Sequence, residues 1–228
     1  EPFRSYDEVS IEALIEKRSK FLTNYQDKAY AERYAALLKR VQEVERKRTP
    51  TADGLVLAVA KNAFKLMAYK DEYEVARLFS DGSFIKKIKQ QFEGDYKIEF
   101  NLAPPLISKK DPITGQLKKR TFGPWMMSAF RLLAKLKVLR GTAFDIFGKT
   151  EERKTERNLI EQYFGLVDMV LSNLNNENHQ TSIELLSLPE QIRGYGHVKE
   201  KAIKMVKSKE RQLLERFNHP ELSRTAAE

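Results

Sequence analysis

The chain has 228 residues, 41% of them hydrophobic and 10% aromatic, enough for one large domain or two small ones with a sizeable core. Lys and Arg number 41 against 32 Asp and Glu, a formal net charge of +9, and charged residues make up 32% of the chain, so the exterior is heavily solvated. Cysteine is absent, which excludes disulfides, thiolate zinc sites, cysteine nucleophiles and cysteine-ligated iron–sulfur clusters within this chain.

No apolar run approaches the roughly 20 residues needed to span a bilayer, so no membrane association is expected. Glu1-Pro2-Phe3-Arg4 forms neither a signal peptide nor an initiator start. The sequence therefore reads as a piece cut from a longer cytoplasmic protein.

The first half reads as helix. Ile11, Leu14, Ile15 and Leu22 recur at helical spacing, as do Tyr30, Tyr34, Leu37, Leu38 and Val41, predicting helices over 8–23 and 26–48. The charged run from Lys39 to Arg48, with Glu43 and Glu45 among its basic residues, reads as a solvated last turn. Thr51 is the expected cap of a third helix with Asp53 in its first turn. Its stripe of Leu55, Val59, Ala63, Phe64 and Met67 continues through Tyr73, Ala76, Leu78 and Phe79 to Asp81-Gly82. A short helix from Ser83 turns Phe84, Ile85, Ile88 and Phe92 inward.

The period then changes to two: Tyr96, Ile98 and Phe100 alternate with Lys97, Glu99 and Asn101, predicting a strand over 96–102. Asp111-Pro112-Ile113-Thr114-Gly115 is a turn signal, and 116–121 returns as a second strand. The helix after Pro124 is apolar nearly all round, with a narrow polar strip at Ser128, Arg131 and Lys135. Such a helix is buried or covered by another chain over 126–139. Gly141 caps it, and Phe144–Phe147 reads as a loop with buried aromatic anchors.

Thr150 caps a long helix with the stripe Ile160, Tyr163, Phe164, Val167, Val170, Leu171 and Leu174. A short helix carries Ile183, Leu185 and Leu186 to Leu188-Pro189. A final helix after Arg193-Gly194-Tyr195-Gly196 carries Val198, Ile203, Val206, Leu213, Leu214 and Phe217. The expected fold is mainly α, a helical bundle of about seven to eight helices with one small antiparallel β-hairpin. A single domain over 1–228 is expected, with helices across 1–95, the hairpin at 96–122, helices again across 125–217 and a loose tail at 221–228.

Charge is unevenly spread. Residues 109–140 hold nine basic residues and one acid, Asp111, a net of +8. This block is either a solvated hairpin tip with dipole-complementing helix ends, or a basic face for an acidic partner. Its candidate binding residues are Lys109, Lys110, Lys118, Lys119 and Arg120 around the turn, then Arg131 and Lys135 on the polar strip. Nucleic acid is disfavoured because no aromatics interleave the cations to stack bases.

Among the three histidines, His219 lies at a helix end, and His179 in Asn178-His179-Gln180 reads as local capping. His197 follows Gly194-Tyr195-Gly196 at a helix entrance. With Arg193 and Lys199 it is either a candidate anion site or a chain reversal packed under Tyr195. No Walker loop, Ser-His-Asp order or dense metal cluster appears, so no catalytic residue and no metal ligand is assigned.

Five strings in order carry a resemblance: Phe64-Lys65-Leu66-Met67-Ala68-Tyr69-Lys70-Asp71-Glu72-Tyr73-Glu74-Val75-Ala76-Arg77-Leu78, Phe100-Asn101-Leu102-Ala103-Pro104-Pro105-Leu106, Phe122-Gly123-Pro124-Trp125-Met126, Leu139-Arg140-Gly141-Thr142, and Ile192-Arg193-Gly194-Tyr195-Gly196-His197-Val198-Lys199. Over about residues 20–217 the chain resembles the C-terminal domain, of unassigned function, of the long fused bacterial indolepyruvate ferredoxin oxidoreductases. The resemblance implies a parent enzyme that decarboxylates aryl pyruvates oxidatively to aryl-acetyl-CoA. Its thiamine diphosphate and iron–sulfur clusters would lie elsewhere in the parent chain, with none in this one. It also implies an accessory role, with the parent's catalytic domains as partners. The alternative is a module that holds CoA phosphates or acidic ferredoxin through the basic hairpin.

Overall fold

Helix-forming periodicity dominates the computed structural model, which describes residues 10–103 and 118–219. Among the described residues there are nine α-helices and one two-stranded antiparallel sheet, the mainly α fold with a small hairpin that the patterning predicts. The chain divides into two units, one drawn from 1–69 and 146–228, the other from 70–145.

In the first unit, α1 (Ile11–Tyr25) is capped by Ser10, whose hydroxyl accepts from the Ala13 amide, and α2 (Lys28–Arg48) by Asp27. They turn Leu14, Leu22, Tyr34, Leu38 and Val41 inward at helical spacing. The third helix, α3 (Leu55–Met67), is buried on most of its circumference and packs against α1, α2, α7 (Glu151–Asn173) and α8 (His179–Ser187). Ala58, Ala60 and Ala63 keep it slim enough for neighbours on several sides. Pro189 opens a 3-10 turn over Leu188–Gln191, and α9 (Gly196–Asn218) closes the unit, seating Val206 and Phe217 in the core.

Tyrosine hydroxyls tie these helices together through backbone carbonyls. Tyr30 donates at 3.0 Å to Met67 O, an acceptor that the end of α3 leaves open, and Tyr25 donates at 2.8 Å to Tyr69 O, two residues beyond that end. Tyr34 donates to Ala60 O and Tyr163 to Leu186 O.

The start of α3 differs from expectation. Thr51 does not cap it; Gly54 does, in the left-handed region at φ 105°. The missing side-chain acceptor comes from Glu45. Its carboxylate accepts from the amides of Leu55 (2.8 Å) and Val56 (3.1 Å), and His179 Nε2 lies 2.9 Å from the same group. Glu45 is only 6% exposed, so the charged run 39–48 is not wholly a solvated turn. His179, read from sequence as a local cap, is the buried partner of that carboxylate.

The second unit holds α4 (Glu72–Ser80), α5 (Ser83–Gln91), β1 (Phe100–Leu102), β2 (Arg120–Phe122) and α6 (Met126–Lys135). The expected long third helix is broken at 68–71, because Asp71 caps a new helix by accepting from the Glu74 amide. Strand pairing covers Phe100↔Phe122, Asn101↔Thr121 and Leu102↔Arg120, so Tyr96 to Glu99 alternate without a partner strand. Residues 116 and 117 of the expected return strand lie outside the described residues. The core is a phenylalanine cluster: Phe79, Phe100 and Phe130 meet pairwise at 5.2–5.3 Å between ring centroids, and Phe84 lies 4.9 Å from Phe79. Phe92, expected inward, is exposed.

Replacing Glu45 by Ala strips two buried amides and His179 of their acceptor, so the unfolding midpoint in denaturant should fall by an amount equivalent to on the order of 3 kcal/mol. A change no larger than that of Glu43→Ala on the same helix would overturn this. Burial pushes the hydroxyls of Tyr34 and Tyr163 above their ordinary value. The stability they contribute is therefore complete below the unfolded-state value of about 10 and lost as pH rises through the folded values. Unfolding midpoints should fall above about pH 10, less steeply in Tyr163→Phe.

Candidate functional site

The polar groups of the second unit sort into a buried network and an exposed face. Asp71, at the start of α4, accepts from Arg140 Nε at 2.6 Å and Nη2 at 2.9 Å, with both side chains 3% exposed. Arg140 follows the 3-10 turn Leu136–Leu139 and lies 5.5 Å from the Tyr73 ring centre. Tyr73 donates to Asp145 at 3.1 Å, and Asp145 also accepts from the Gly141 amide at 2.8 Å. Burial and the neighbouring Asp145 carboxylate hold the Tyr73 phenol neutral, far above its ordinary value. Donors and acceptors answer one another here, so this is a clamp between the start of α4 and the 3-10 turn and loop that follow α6. The sequence places Asp71 and Tyr73 among the ions and tyrosines that fix a helix crossing, but does not name their partners Arg140 and Asp145.

The loop expected to bury aromatic anchors does so only in part: Asp145 is buried and Phe147 half-buried, while Phe144 is 77% exposed and Ile146 is exposed. The apolar helix after Pro124 is also corrected. It is α-helical only to Lys135, and Phe130 alone among its side chains is buried. Met126, Met127 and Leu133 pack partly against the phenylalanine cluster. Trp125 (62%), Leu132 (64%) and Leu136 (39%) are exposed, and so are Arg131 and Lys135.

Of the hairpin candidates, Lys118, Lys119 and Arg120 are exposed, while Lys109 and Lys110 lie outside the described residues. Arg120 sits on β2 opposite Leu102, followed by Thr121, whose hydroxyl donates to Asn101 Oδ1 at 2.8 Å.

Arg193, His197 and Lys199 belong to the first unit. Gly194 (φ 90°) and Gly196 (φ 53°) turn the chain into α9, and a Cβ on Gly194 would stand 2.6 Å from Val198 Cγ1. Tyr195 is exposed, so the chain reversal is not packed beneath it, and Val198 is exposed as well. Lys199 pairs with the buried Glu156, which also takes Arg153 at 2.6 Å. Lys65, missed from sequence, lies on the same small cleft as Lys199 and Glu156, over Leu66, Leu159 and Ile192. It donates to Pro189 O at 2.7 Å and Glu190 O at 3.0 Å; burial, then Arg193, lowers its pKa. Arg193 donates to Glu190 O and is otherwise exposed, as is His197. The loop therefore gathers cations of which Lys65, Arg193 and Lys199 already have carbonyl or carboxylate partners.

Among the described residues no group of three or more His, Asp or Glu side chains is placed to hold a metal ion, and no helix is long and apolar enough to cross a membrane. A family of unknown function, DUF6537, has a sequence model that matches residues 11–212. No curated protein and no solved structure matches the chain.

The clamp and the exposed face separate by stability. Asp71→Ala leaves Arg140 buried without the Asp71 carboxylate and removes a helix cap, which should cost about 3–5 kcal/mol. Arg131→Ala and Lys135→Ala should stay within about 0.5 kcal/mol of the parent protein in denaturant titrations. Equal effects would mean that the exposed cations are structural.

Proposed function

We propose that this chain, which belongs to the DUF6537 family of unknown function, is an accessory docking and assembly domain of an indolepyruvate:ferredoxin oxidoreductase. The parent would oxidatively decarboxylate aryl pyruvates to aryl-acetyl-CoA, and this domain would contribute no chemistry of its own. The five ordered strings support the parent's identity. The docking role rests on one observation: the second unit exposes Trp125, Leu132, Leu136, Val138 and Phe144, five large apolar side chains between positions 125 and 144, three of them along α6.

The chain supplies no thiolates, so cluster ligation belongs to other domains of the parent, as does the binding of thiamine diphosphate. Its own residues would hold the catalytic domains in register. A second reading, in which the basic hairpin holds CoA phosphates or acidic ferredoxin, is favoured by Lys119 and Arg120, exposed cations that have no ion pair among the described residues.

Removal of residues 11–212 from the full-length enzyme is the test. Assembly and turnover of indolepyruvate with ferredoxin and CoA should both be impaired, and the isolated chain should show no turnover. Unchanged assembly and turnover in the deletion, or turnover by the isolated chain, would overturn the proposal.

A further inference from the structure

The exposed side of α6 follows from its spacing. At 100° per residue, Trp125, Leu132 and Leu136 fall within about 40° of one another, and Arg131 and Lys135 flank them on one side. On the other flank from the cations, about 80–140° round from Trp125, Leu133, Met126 and Phe130 pack into the phenylalanine cluster. The helix is thus anchored on one face and presents a second apolar stripe to solvent. Trp125 packs edge-on to Phe122 at 6.0 Å, which fixes the indole at the head of that stripe.

Charge names the partner. In this unit Arg77, Lys97 and Arg140 are paired with carboxylates, whereas Lys86, Lys87, Lys89, Lys119 and Arg120 are exposed without one among the described residues, but away from the stripe's own helix. Arg131 and Lys135 have no carboxylate partner among the described residues, and both stand beside exposed apolar groups. A neutral surface covering the stripe would desolvate them at its edge without return, and a basic one would repel them. A nucleotide finds no enclosing walls on one exposed helix face.

We infer that the α6 face of Trp125, Leu132 and Leu136, edged by Arg131 and Lys135, docks against an acidic protein surface with an apolar centre. The inference rests on the docking role proposed above and assigns it to one face and one partner chemistry. Trp and Arg are the residue types that dominate such contacts, with the indole filling a pocket and the cations setting the register.

The test places a photo-crosslinking phenylalanine derivative at position 132 of the full-length protein, with position 87 on α5, also exposed, as reference. The cross-link from 132 should map to a single segment rich in Asp and Glu. Its yield should fall about tenfold in Trp125→Ala. The Arg131→Glu, Lys135→Glu double variant should do the same, and so should a rise in salt from about 0.05 to about 0.5 M. Excess CoA should leave it unchanged.

No cross-link above that at position 87, a target segment without acidic residues, or competition by CoA would overturn the inference. The two proposals fail separately. If deletion of 11–212 abolishes assembly while position 132 cross-links nowhere, docking stands and this face is wrong. If 132 finds one acidic segment while deletion leaves assembly and turnover intact, the face stands and the accessory role falls.

Discussion

A carboxylate buried where three helix ends meet organises the first unit. Taking Glu45 out of water costs several kcal/mol, and that cost is offset only because two amides at the start of α3 and the His179 ring converge on it. Those donors belong to α3 and α8, and the acid to α2, so the three helices are tied at one point. With that end held, α3 can carry an almost wholly apolar surface into the middle of the unit. Its other end is held by hydroxyls: Tyr30 takes the Met67 carbonyl that α3 leaves open, and Tyr25 the Tyr69 carbonyl just beyond it. Apolar burial supplies the bulk of the stabilisation, and the polar contacts at the two ends select the arrangement.

The second unit solves a smaller problem in a similar way. Its core has few fully buried side chains, chiefly Ala76, Phe100 and Phe130, and so small a core gives little stabilisation from area alone. Asp71 and Arg140 add a bidentate, desolvated ion pair between the start of α4 and the end of the 3-10 turn that follows α6. Tyr73 and Asp145 complete it, with the Gly141 amide as a further donor to the same acid. The clamp also holds the end of the 3-10 turn that follows α6 and contains Leu136.

That rigidity bears on function. An exposed apolar stripe on a mobile element would lose much of its docking energy to ordering; α6 is held by the phenylalanine cluster beneath and by the clamp on the 3-10 turn that follows it. The separation of roles is clear in the charges. Arg140, paired with Asp71, holds the unit together, while Arg131 and Lys135, exposed beside the stripe and without a carboxylate among the described residues, remain available to a partner. The loop around Gly194 is different, because Lys65 and Lys199 are already engaged by carbonyls and by Glu156.

Helix and strand patterns were legible in the sequence because they are set locally. The 3.6-residue stripes of α1, α2, α7 and α9, the capping Thr150 and the alternation around Phe100 needed only near neighbours. The uneven distribution of basic residues was equally plain. What the sequence left open were partnerships between distant residues: Glu45 and His179 are 134 positions apart, Asp71 and Arg140 are 69. Periodicity carries no record of such pairs, so Glu45 read as one more solvated charge and α6 as a helix either buried or covered by another chain. Only the tertiary structure decides which polar groups lose their water and which apolar ones keep it. That choice depends on what the rest of the chain brings alongside, through burial and through the donors available to each buried acceptor.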